Sequence, residues 1–205
     1  MRPFNHLHVH SQYSILDGQA SIGSLVNKAQ KSGMKALALT DHGTMFGIKE
    51  FWNTCKNEHY GNKELPVEKW FKVKPIIGCE TYVAARGIEN KTSKDDRSGY
   101  HLILLAKNHT GYKNLLKLIS IANDEGMYYK PRIDKSLLEK YHEGLIASSA
   151  CIGGEVPQKI LSGDIDGAGE TIKWFKSIFG EDYYLELQRH PAESQKEREE
   201  VYDSQ

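Results

Sequence analysis

Residues able to hold a metal ion follow directly on short apolar runs at widely separated places in this chain, and that order constrains the fold more than any other feature. Val9 gives way to His10, Ala36-Leu-Ala-Leu39 runs into Thr40-Asp41-His42-Gly43, and Gly144-Leu-Ile-Ala-Ser148 leads to Ser149-Ala-Cys151. A carboxylate, Glu80, sits inside the end of the apolar run Pro75–Val83. Functional groups of α/β folds collect at the carboxyl ends of their strands. The order therefore predicts one shared site at the mouth of a sheet.

The rest of the pattern agrees with alternating strands and helices. Strands are predicted over Phe4–Val9, Ala36–Leu39, Pro75–Val83, Leu102–Ala106, Gly144–Ser148 and Tyr183–Leu187. Helical spacing of apolar residues marks Ser21–Ser32, Met45–Cys55, Gly111–Asn123, Leu137–Tyr141, Val156–Leu161 and Ala168–Phe179, with Gly33 as a stop signal. Two stretches break the rhythm: a polar insertion over His59–Lys74, and a charged, Gly/Ser-containing segment over Ala85–Gly99 that reads as a mobile loop. Six βα-like units in series suggest a parallel sheet, open or closed into a barrel. The charge-rich end, Gln188–Gln205, reads as a half-helix cut short.

In an extended strand alternate side chains share a face, so His6, His8 and His10 line up opposite Leu7 and Val9. Three imidazoles so placed repel when protonated and gain little from packing, whereas a divalent metal makes sense of them. The competing reading is a solvated polar face. Asp41 can orient a ligand histidine, bind metal, or merely cap a helix beginning near Thr44. Glu80 in an apolar strand is costly unless it is metal-bound or paired with Lys or Arg. Asp17, in an Asp-Gly turn, is weakly marked alone, and Cys151 could equally be an inert core thiol. His101 precedes its strand, which would put it at the opposite end from the other clusters, so it reads as a boundary histidine. His59, His109 and His142 read as solvent-exposed, His190 as a peripheral contact, and Cys55 and Cys79 as core.

Lys plus Arg and Asp plus Glu number 27 each, which argues against an autonomous duplex binder, since those usually carry a basic excess. At 205 residues and 39% hydrophobic content the chain suits a soluble domain. No apolar run approaches the roughly 18 residues of a membrane span, and no signal-peptide core is present. The three cysteines lie far apart without a CxxC, as in a reducing cytoplasm. No GxGxxG, Walker loop, GxSxG or HExxH occurs.

Taken together, His-Leu-His-Val-His-Ser, Leu-Thr-Asp-His-Gly, Ile-Gly-Cys-Glu and Ser-Ala-Cys-Ile-Gly-Gly-Glu resemble the PHP (polymerase and histidinol phosphatase) domain. More narrowly, Phe4–Gly18, Thr40–Phe46, His109–Leu115, Tyr129–Asp134 and Gly144–Cys151 resemble the amino-terminal PHP domain of bacterial DNA polymerase III alpha subunits, over essentially all of residues 1–205. The resemblance implies a distorted seven-stranded βα barrel with up to three divalent metals at the strand ends. It implies His8, His10, Asp17, His42, Glu80, His101 and Cys151 as ligands, with Asp41 behind them. Imidazole, carboxylate and one thiolate suit zinc, manganese or iron better than magnesium. The family completes its site with an Asp-x-His near the domain's end. None occurs here, so the resemblance implies a fragment lacking that motif and the last strand, with impaired activity.

The implied chemistry is metal-assisted phosphodiester hydrolysis at a DNA 3′ end, a 3′-5′ exonuclease, within a DNA-directed DNA polymerase. The implied partners are a primer-template, a sliding clamp, a clamp loader and a proofreading subunit. Two alternatives stand beside it: a non-catalytic docking module that has kept its ligands, and a free-standing PHP phosphatase.

Overall fold

The computed structural model describes residues 4–188. It holds six α-helices, α1 (Ile22–Lys31), α2 (Ile48–Cys55), α3 (His109–Asp124), α4 (Lys135–Tyr141), α5 (Glu155–Leu161) and α6 (Ile165–Phe179). Six strands form one sheet: β1 (Ala36–Leu39), β2 (Lys74–Val83), β3 (Tyr100–Ala106), β4 (Arg132–Ile133), β5 (Leu145–Ser148) and β6 (Tyr183–Tyr184). The strand order is β1-β2-β3-β5-β6, with β4 attached to β2. This is the α/β class expected. His190 and the charged tail after it lie outside the described residues.

Local chemistry explains the helix ends. Ser21 caps α1 by accepting from Ser24 N, Asn108 caps α3 by accepting from Gly111 N, and Asp164 caps α6 by accepting from Gly167 N. Gly33 follows α1 at φ 72°, the left-handed conformation that closes a helix at little cost to glycine. Ile22, Val26 and Ala29 bury one face of α1 against β1. Burying a side chain such as Ile22 contributes about 1.5–3 kcal/mol. A second core joins Leu104, Leu115, Leu118, Leu138 and Phe175, between the sheet and α3, α4 and α6.

The all-parallel sheet is corrected. β1 runs parallel to β2, and β5 to β6, but β3 is antiparallel to both β2 and β5. The physical reason is the connection. A parallel return needs a long crossover, usually a helix, and the 84–99 segment supplies no helix, so the chain comes back antiparallel. That segment is also braced rather than loose. Arg86 holds Asp96 at 3.0 and 2.6 Å, Asp96 accepts from the backbone of Thr92 and Ser93, and Lys91 Nζ donates to Glu125 O.

Three further expectations are revised. Phe4–Val9 is not a regular strand, although Ala38 N donates to His6 O and Thr40 N to Val9 O, tying it along β1. Helix α2 begins at Ile48 rather than Met45, because Gly43 at φ 60° turns the chain before it. β6 ends at Tyr184. The strand path does not join its ends among the described residues; instead the amino-terminal segment meets the residues after β6 through His8 and Glu186, 2.8 Å apart.

Candidate metal centre

Glu80 is the middle of the site. It is fully buried on β2, where a lone carboxylate would be expensive. No Lys or Arg pairs with it among the described residues; four imidazoles do. Its oxygens lie 3.2 Å from His8 Nε2, 2.9 Å from His10 Nε2, 3.1 Å from His42 Nδ1 and 2.7 Å from His101 Nδ1.

Each imidazole arrives by a different route. His8 and His10 flank Val9, whose N–H donates to Thr40 Oγ1 at 2.8 Å, so both are held at the end of β1. His6 stays exposed and stacks edge-on with Phe4, outside the cluster. His42 follows β1, and its neighbour Gly43 donates to Glu80 O at 2.8 Å. Asp17 reaches back to His42 Nε2 at 2.7 Å from a turn in which Gly18 N donates to Ser14 O. A side chain on Gly18 would collide with Ser11 O, so glycine is required there.

His101 corrects the reading that it lies at the far end. Because β3 is antiparallel to β2, its first residues sit beside the last residues of β2, with His101 opposite Tyr82. Its backbone N–H donates to Gly153 O, which brings Cys151 within reach: Sγ is 3.5 Å from His101 Nδ1 and 3.7 Å from Glu80 Oε1. Cys55 and Cys79 are fully buried core thiols, as expected. His59 and His109 are exposed as expected, whereas His142 is half-buried edge-on against Phe179.

Asp41 neither caps a helix nor faces the cluster. It is buried and accepts from Ser11 N at 2.6 Å, Ser11 Oγ at 2.8 Å and Ser14 Oγ at 2.7 Å. Ser14 Oγ in turn lies 3.1 Å from His10 Nδ1 and accepts from His42 N. Asp41 thus positions the His10 imidazole and the His42 backbone through one serine.

Two participants were not singled out from sequence. Glu186, just past β6, contacts His8 Nδ1 and accepts from Ser148 Oγ at 2.7 Å. The strand-end rule that flagged the other residues applies to it equally. Tyr82 stacks on His42 at 5.7 Å and meets His101 edge-on at 5.2 Å. Its apolar run looked like simple core.

The electrostatics follow from the crowding. Burial opposes charge on His8, but the hydrogen bond to Glu186 and the adjacent Glu80 carboxylate outweigh it and raise the imidazole to about 10. His101 behaves alike: burial is overcome by Cys151 and Glu80, raising it to about 9. At His42 burial wins over the pull of Glu80, so its pKa is lowered and the ring is neutral at pH 7. Burial favours a protonated Glu80, yet His10, His101 and His8 hold its carboxyl far below the ordinary range.

The donor set suits a divalent cation. Three groups each place three ligand atoms within 4.8 Å of one another: His8, His10 and Glu80; His10, Asp17 and His42; His42, Glu80 and His101. The groups share His10, His42 and Glu80. Cys151 belongs to none of them but borders the third. Glu80 Oε2 and His42 Nδ1 are buried without a hydrogen-bond partner among the described residues, although only 3.1 Å apart. Their close approach fails the geometry of a hydrogen bond, and both residues fall in one group of possible metal ligands.

The PHP domain family profile matches residues 6–190. The chain is 52% identical over 199 residues to the DNA polymerase III subunit alpha of Borreliella burgdorferi, and 45% identical over 195 residues to that of Treponema pallidum. It is 45% identical over 193 residues to that of Aquifex aeolicus. These alignments take in 94%, 94% and 91% of this chain but 16% of each relative's length. A solved structure from Bifidobacterium adolescentis, a candidate metal-dependent phosphoesterase, superposes with a TM-score of 0.38 at 18% identity, over 60% of this chain and 34% of its own; a likeness so loose carries no argument.

Proposed function

The chain belongs to the PHP domain family, and from that premise we propose that its clustered ligands hold divalent metals that hydrolyse phosphodiesters at a DNA 3′ end. The observation that carries the reading is the buried Glu80 carboxylate inside four imidazoles, with no Lys or Arg paired with it among the described residues. His8, His10, Asp17, His42, Glu80 and His101 would hold up to three metals, with Cys151 as a thiolate at the edge of the third position. Zinc, manganese and iron match these donors. Bound there, such ions supply an activated water and neutralise the phosphoryl oxygens.

The protein's own residues do the rest. Asp41 and Ser14 hold the His10 ring and the His42 backbone before any ion arrives, which keeps both residues at one volume. Glu186 holds His8 Nδ1 and so leaves Nε2 facing Glu80. Tyr82 walls one side of His42 and limits water there. No side chain is needed as a covalent nucleophile.

The polymerase relatives support reading residues 1–205 as one PHP domain within a longer replicative DNA polymerase. Its partners would then be a primer-template, a sliding clamp, a clamp loader and a proofreading subunit. No helix among the described residues is long and apolar enough to cross a membrane.

The test is release of nucleotides from a 3′-mismatched primer with manganese, beside His8→Ala and His42→Ala. Loss of release in both variants supports hydrolysis at this centre. Release that survives both substitutions rejects it and leaves a docking module.

A further inference from the structure

We propose that Lys130, Tyr129 and Arg97 form a ledge beside the metal centre that grips single-stranded DNA, Lys130 taking a backbone phosphate and Tyr129 stacking a base. The inference rests on the hydrolytic reading above and names the residues that would hold its substrate.

Lys130 Nζ sits 5.5 Å from the centre of the Tyr82 ring, the ring that contacts both His42 and His101. A single aromatic side chain therefore separates this ammonium from two candidate ligands. Next along the chain, Tyr129 is 66% exposed and carries the Arg97 guanidinium over its ring at 4.7 Å. Among the described residues neither Lys130 nor Arg97 has a carboxylate within ion-pair distance. In a chain of zero formal charge, two unpaired cations on aromatic faces beside an anion-handling centre are a local concentration of what single strands bind.

The ledge is also rigid, which a pair of solvated surface cations would not be. Tyr129 is held at φ 62°, a conformation that costs a bulky side chain energy and persists only where its surroundings impose it. Tyr128 N donates to Lys130 O at 3.1 Å, closing the turn around Tyr129, and the fully buried Arg132 braces it from behind, its guanidinium donating to Gly126 O, Asn90 O, Asp96 O and Ile88 O. One side chain thus fastens the 126–131 turn that presents Tyr129 and Lys130 to the 84–99 loop that presents Arg97. β4 continues the fastening by pairing Arg132 with Tyr82. Pre-organised donors lose less on binding than flexible ones.

The test is fluorescence anisotropy of a short labelled oligothymidine with the full chain, alongside calorimetric titration with Mn²⁺ alone. Lys130→Met keeps the stem and drops the charge. Tyr129→Asn removes the ring while tolerating the left-handed backbone. Each should weaken DNA binding about 10-fold or more, within the range of a single stacked base. Lys130→Met should also flatten the slope of log affinity against log salt by about 0.7. Lys117→Met, an exposed charge on α3, should change neither. DNA affinity within twofold of wild type in both ledge variants, or no measurable DNA binding by wild type, overturns the ledge. Absence of Mn²⁺ uptake by wild type instead overturns the hydrolytic reading, and the DNA arms still judge the ledge.

Discussion

Replacing Glu80 with Gln tests the site at its centre, because the amide keeps the shape and removes the charge. Without metal, His8 at about 10 and His101 at about 9 both carry protons at neutral pH, and Glu80 is their common counter-ion. Removing one partner of a buried ion pair costs about 3–5 kcal/mol. For a chain of this size each kcal/mol moves the melting temperature by about 2–4 °C, so the metal-free variant should melt about 6–20 °C lower. A second loss follows with metal. Glu80 belongs to two of the three ligand groups, leaving only His10, Asp17 and His42 intact. If affinity at each of the two damaged positions falls 100-fold, about 2.7 kcal/mol of metal-derived stabilisation goes with each. Scanning calorimetry of the wild type and E80Q, each with EDTA and with saturating Mn²⁺ or Zn²⁺, separates the two losses. Equal metal-free melting temperatures, together with equal shifts on adding metal, would refute the assignment of Glu80 as both counter-ion and ligand.

Three further outcomes are expected. Asp41→Asn should weaken metal affinity about 10–100-fold without removing a ligand, measured by competition with a chelator, since it disturbs the serine that positions His10 and His42; unchanged affinity would deny it that role. Arg132→Met takes the guanidinium from four carbonyls, two of them in buried bonds, and should cost about 3 kcal/mol or more, read as a lowered urea midpoint. The stability of EDTA-treated protein should depend on pH with a definite sign. The His8 contribution, from a folded value raised to about 10, is complete below the unfolded imidazole value and lost as pH climbs through 10. The Glu80 contribution, from a lowered carboxyl, is present above the ordinary carboxyl range and lost as acid protonates it. Urea midpoints should therefore fall between pH 7 and 10, and a rise over that interval would contradict the His8 assignment.

His8, His10, Asp41, His42 and Glu80 were legible in sequence because each interrupts or terminates an apolar run, where a polar side chain needs a reason. Helices α1 and α3 were legible from apolar spacing, with Gly33 marking the end of α1, to within two residues at each end. What escaped was information held between segments. β4 is two residues long and exists only because Arg132 and Ile133 lie beside Tyr82 and Val83, a partnership no local pattern announces. The bracing of the 84–99 loop was hidden likewise. Its polar composition suggests mobility, but Asp96 turns inward to Arg86 and the buried Arg132 binds its carbonyls from afar.

His101 shows why direction matters as much as pattern. In a purely parallel sheet every strand would bring its carboxyl end to the site, and a residue at the start of β3 would face the opposite rim. Here the helix-free 84–99 connection sends β3 back antiparallel, so β2 ends where β3 begins. One reversed strand thus delivers an imidazole that a parallel strand could not, 2.7 Å from the Glu80 carboxylate. The same reversal sets β5, antiparallel to β3, with its carboxyl end at the site, which is why Cys151 and, through parallel β6, Glu186 arrive there too. The strand-end rule therefore holds for four of the strand ends only because the one exception turns the sheet to meet them. Restoring a parallel β3 would need a helical crossover in place of residues 84–99, and it would remove His101, Arg97 and the fastening by Arg132 from the centre at a single stroke.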